Sequence, residues 1–64
     1  MVEEIKKEYE EYKSGKINLG ELYIKLLKVS QKYSNDKFEA HLKIEIPNNV
    51  LFLLLTYQNS HSLR

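Results

Sequence analysis

The amino-acid sequence predicts an α+β fold: a helical hairpin followed by a β-hairpin, in the order α-α-β-β, forming one small two-layer domain completed by dimerisation. Three observations lead there. Apolar residues recur every three to four positions as far as Tyr33, the period of an amphipathic helix. Over 38–46 they alternate with polar ones, the period of a half-buried strand. The 64 residues contain no cysteine, which removes disulfides and thiolate metal sites as supports. A chain this short buries only about 60% of its unfolded surface, so self-association is the remaining way to extend its core.

The first helix is read from Val2, Ile5, Tyr9 and Tyr12, which share one stripe. Glu3 and Lys7 form an i,i+4 pair in the favourable order, and Lys6–Glu10 and Lys7–Glu11 add reversed ones, each contributing about 0.2–0.5 kcal/mol. Ser14-Gly15 ends it, because glycine takes the left-handed position after a helix at little cost. The second helix starts at Asn18, a good N-cap, with Glu21 three residues on completing a capping box and Ile17 and Leu22 spaced as a hydrophobic staple. Leu19, Leu22, Leu26, Val29 and Tyr33 continue it, and Tyr23, Ile24 and Leu27 widen its apolar face. The short connection makes the two helices antiparallel. Gly15-Lys16-Ile17-Asn18, Glu21-Leu22 and Leu26-Leu27 are similar to the SHOCT domains, small helical hairpins; that resemblance implies oligomerisation.

Residues 34–37 are polar and break the helical pattern. In the expected first strand, Phe38, Ala40, Leu42, Ile44 and Ile46 face inward and Glu39, His41, Lys43 and Glu45 outward. Pro47-Asn48-Asn49 reads as the turn and 50–57 as a nearly continuous apolar second strand. The domain is thus expected over 1–57, with 58–64 a flexible polar tail. A three-residue turn sets Ile46 opposite Val50, Ile44 opposite Phe52 and Leu42 opposite Leu54; a two-residue turn exchanges the faces. Either register leaves one apolar stripe that a single helical hairpin cannot cover. The expected partner interface is Leu51, Phe52, Leu53, Leu54, Leu55 and Tyr57. Its expected occupant is a second copy, giving a homodimer that could form a four-stranded sheet, or a different protein docking by strand addition or face packing.

An alternative for the same stretch is a short helix over 49–58 capped by Asn48 or Asn49. Lys43-Ile44-Glu45-Ile46-Pro47 followed by Leu51 and Leu54 resembles the strand and first-helix opening of ribbon-helix-helix DNA-binding proteins, although the two helices before the strand depart from that family's pattern.

Ten Lys+Arg face nine Asp+Glu, for a net charge of +1, far from the basic bias of a nucleic-acid coating protein. Gly15 and Gly20 are the only glycines, so no phosphate-cradling loop exists. His41 has Glu39 and Glu45 along its own strand face, where side chains stand parallel instead of converging on a metal, and His61 has no carboxylate nearby. No catalytic residue, metal site or cofactor is expected, and the protein is not expected to be an enzyme. Lys25, Lys28 and Lys32, with Lys13 and Lys16 near the start of their helix, form a stripe that could contact phosphates. Without arginine in the stripe, nucleic-acid binding would be weak backbone contact. Residues 1–12 are charged throughout and lack the apolar core of a secretory signal. The longest apolar run, 50–55, falls far short of the ~20 residues of a membrane span, so no membrane partner and a cytoplasmic location are expected. Single Ala, Pro and Arg residues beside abundant Lys, Ile, Asn and Tyr fit an AT-rich genome, of the kind many viruses and archaea carry. The expected function is a small non-catalytic interaction module of adaptor or inhibitor type; the alternative is a small nucleic-acid-binding regulator using the lysine stripe.

Overall fold

A computed structural model describes residues 1–62, with side chains described through Gln58, and resolves them into four α-helices. These are α1 (Val2–Lys13), α2 (Leu19–Ser30), α3 (Asn35–Glu45) and α4 (Asn48–Ser62). Among the described residues there is no strand, so the expected α+β class and the sheet-built dimer are corrected to an all-helical domain.

The first half forms as its local signals dictate. Glu3 and Glu4 lie in the first turn of α1 and Lys13 in its last, matching the helix dipole. The end of α1 is a Schellman motif: Gly15 adopts φ +87°, its N–H donates to Tyr12 O at 3.2 Å, and the Lys16 N–H donates to Glu11 O at 2.9 Å. At the start of α2 the Glu21 N–H donates to Asn18 Oδ1 at 2.8 Å and the Asn18 N–H donates to Glu21 Oε1 at 3.0 Å, the reciprocal pair of a capping box.

The second half departs from the expected strands for identifiable reasons. An alternating set contains a helical one: Phe38, Leu42 and Ile46 are four apart, so a helix puts all three on one side. In α3 that side turns inward, while Ala40 and Ile44 are exposed, Ile44 at 73%. Glu39, Ala40, Leu42, Lys43 and Glu45 are good helix formers, and the polar segment 34–37 supplies the N-terminus, with Ser34 at the N-cap position and Asp36 in the first turn. Pro47 ends α3, since the residue before a proline is pushed out of helical conformation; Ile46 accordingly sits at φ −114°, ψ 129°. The expected turn 47–49 is instead the entry to α4, with Pro47 O accepting from the N–H groups of Val50 (3.1 Å) and Leu51 (3.0 Å). Because 43–45 form the last turn of α3, the ribbon of the ribbon-helix-helix likeness is not formed. The expected boundary at residue 57 falls inside α4, which runs to Ser62; residues 63–64 lie outside the described residues.

The core consists of Ile5 from α1, Leu22, Leu26 and Val29 from α2, Ile46 from the α3–α4 corner, and Val50 and Leu54 from α4. Ile46 is 1% exposed, so the corner itself is anchored in the interior. Helix α1 packs on α2 and α3, and α2 on α4. Gly20 of α2 permits the last pairing: a Cβ there would stand 2.8 Å from the Tyr57 hydroxyl, whose ring meets Tyr23 at 5.2 Å between centroids. No helix among the described residues is long and apolar enough to cross a membrane.

Candidate functional site

Since α3 packs principally on α1 and α4 on α2, the two C-terminal helices diverge from Pro47. The space between them is an open groove of about 680 Å³, closed on its third side by α2. Its apolar lining comes from Tyr23, Leu26 and Leu27 of α2, Phe38 and Leu42 of α3, and Leu51, Phe52, Leu54 and Leu55 of α4. Polar residues complete the lining: Ser30, Asn35, Glu39, Lys43, Asn48 and Gln58. Phe52 is 68% exposed, Leu55 57% and Leu27 42%, so the groove is bordered by apolar side chains that the described residues do not cover.

The six residues expected at a partner interface divide in the helix as they could not in a strand. Leu54 is buried in the core, Leu51 and Tyr57 are half-buried, and Phe52, Leu53 and Leu55 are exposed. All six had been expected on the two opposite faces of one strand; α4 gathers Leu51, Phe52, Leu54 and Leu55 on the groove. Sequence reasoning set Leu42 opposite Leu54 in one hairpin register but did not bring Leu27 and Phe38 beside them. Its available signal was the width of the α2 apolar face, which exceeds what α1 alone can cover.

The lysine stripe meets a different surface. Lys25 Nζ lies 3.8 Å from Glu8 Oε1 and 3.7 Å from Glu11 Oε1, and Lys32 Nζ donates to Glu4 Oε2 at 3.0 Å. Glu4, Glu8 and Glu11 recur at four and three along α1, complementing the three and four of Lys25, Lys28 and Lys32, so the stripes meet as an interhelical seam. Lys28 alone makes no ion pair among the described contacts. The seam ends in a clasp, where the Tyr33 hydroxyl donates to Glu4 Oε1 at 2.8 Å. The hydrogen bonds from Lys32 and then Tyr33 hold the Glu4 carboxyl below its ordinary pKa. The Glu4 carboxylate in turn raises the pKa of both donors.

His41 is half-exposed on α3, and no group of three or more His, Asp or Glu side chains able to hold a metal gathers among the described residues. His61 lies beyond the described side chains. Compared with known protein families, curated proteins and solved structures, the chain matches none.

Proposed function

We propose that this protein is a small non-catalytic interaction module whose binding surface is the groove between α2, α3 and α4. The observation that carries this reading is the exposure of Phe52, Leu55 and Leu27 around one concave apolar site. Scattered surface leucines are ordinary, but a contiguous exposed apolar patch rimmed by polar groups marks a docking surface. An exposed aromatic beside a pocket is also the usual form of a binding hot spot. The lysine stripe lends no comparable support to a nucleic-acid reading, because Lys25 and Lys32 are held by carboxylates of α1.

Site-specific photo-cross-linking in the source cell tests the reading, with the photoreactive residue placed at position 52 in one variant and at the exposed α1 position of Lys6 in another. A discrete protein adduct at 52 and none at 6 is expected. Equal labelling from both positions, or no adduct at 52, would remove the groove as a binding surface.

A further inference from the structure

Resting on that reading of the groove, we infer that its occupant is a second copy of this chain, joined face to face across a two-fold axis. A two-fold interface must be self-complementary, each element of the patch finding its counterpart in the same patch of the other copy. The groove face meets that requirement in shape and in charge. It carries both a projection, Phe52 at 68% exposure, and the recess beside it, lined by Leu27, Leu42 and Leu51. It also carries Glu39 and Lys43, one helical turn apart on the same wall, and neither has an ion-pair partner among the described contacts. An axis passing between them sets Glu39 of each copy against Lys43 of the other. A partner of strongly single-signed charge would call for a rim of the opposite sign, whereas this rim carries one charge of each. The fifteen residues lining the groove are fewer than the about twenty to thirty a side of a standard interface, which places the expected dimer among the smaller, transient interfaces.

Sedimentation of the full chain over about 5–500 µM provides the test. The mass should rise with concentration from 7.6 kDa toward twice that value. Phe52→Asp should raise the dimer dissociation constant at least about 100-fold, since a charge replaces the central apolar anchor in both copies. Glu39→Lys leaves two lysines on the wall and Lys43→Glu leaves two glutamates, so each should weaken self-association about tenfold, while an equimolar mixture of the two should recover affinity close to the parent's. All three sites are exposed, and circular dichroism checks that each variant stays helical. A parent that remains at 7.6 kDa throughout overturns the second-copy inference alone, and the groove then stands or falls by the cross-linking at position 52. A parent that dimerises with all three variants unchanged uses another surface, which overturns this inference, and the groove again stands or falls by the cross-linking at position 52. Single variants that weaken without recovering in the mixture would exclude the reciprocal two-fold arrangement.

Discussion

Helices α1 and α2 satisfy most of their needs within the pair, whereas α3 and α4 leave theirs partly unmet. In the first pair, Ile5 and Leu22 are fully buried, a Schellman motif and a capping box close the turn between the helices, and three carboxylates meet two lysines across the seam. In the second, the corner at Ile46 is anchored, but Ile44, Phe52, Leu53 and Leu55 remain exposed, and Ser34 makes no side-chain cap bond at the start of α3. The first pair contributes mainly to holding the domain together. The second combines a structural edge, Val50 and Leu54, with an exposed face of α4 that adds little to folding and is the proposed binding surface.

The largest expected effect separates those two roles. A domain of 64 residues has about 3–10 kcal/mol of stability at 0.05–0.15 kcal/mol per residue. Leu22→Ala, at a site with no exposure, should cost about 2–5 kcal/mol and leave much of the chain unfolded. Phe52→Ser should shift the urea midpoint by no more than about 0.5 kcal/mol equivalent at low micromolar concentration. At high concentration only the parent should gain stability, because the proposed dimer favours the folded state by mass action. If Phe52→Ser were as damaging as Leu22→Ala at every concentration, the exposed face would be part of the folding core and the contrast would collapse.

How much of this was legible in the sequence follows the same division. In the first half, the signals were local: Gly15 after a helical stripe, and Asn18 with Glu21 three residues on, specify bonds that form within a few residues. In the second half, the deciding information lay elsewhere. The alternation of Phe38, Ala40, Leu42, Ile44 and Ile46 fits a strand with all five inward and a helix with three inward, and only the core that buries Ile46 and packs against Phe38 and Leu42 selects the helix. The run 50–57 is apolar on every side, so its periodicity could not separate strand from helix. The surplus of apolar surface could nevertheless be read, since the imbalance between apolar residues and the surface able to cover them does not depend on the element they form. The seam between Glu4, Glu8, Glu11 and the lysines of α2 was also open to reading. It required the two antiparallel stripes to be compared with each other instead of one at a time.

The caps offer a sharper and smaller contrast. Asn18→Ala removes a side-chain acceptor that the Glu21 N–H uses at 2.8 Å and should cost about 1 kcal/mol. Ser34→Ala removes a side chain that makes no cap bond and should cost less than about 0.5 kcal/mol. Urea midpoints of the two variants measured side by side decide it. A Ser34→Ala cost equal to that of Asn18→Ala would mean that the start of α3 is capped as firmly as that of α2.

The smallest effect is electrostatic, and its pH dependence identifies it. Glu4 accepts from Lys32 Nζ at 3.0 Å and from the Tyr33 hydroxyl at 2.8 Å, tying the start of α1 to the segment after α2. Its folded pKa lies below the ordinary 4.5, so its contribution is complete above pH 4.5 and fades as pH falls through the lowered value. Lys32 and Tyr33 are raised above their ordinary 10.5 and 10.0, so their contributions are complete below those values and fade as pH rises through the raised ones. All three groups are open to solvent, where screening keeps such bonds weak. The melting temperature of the parent should therefore exceed that of Glu4→Gln by a small margin across the neutral range, with the margin closing at both acid and alkaline extremes. Added salt should narrow it at neutral pH. A margin that persists unchanged into acid would show that Glu4 acts by packing instead of charge, and the clasp would then no longer distinguish the first pair of helices from the second.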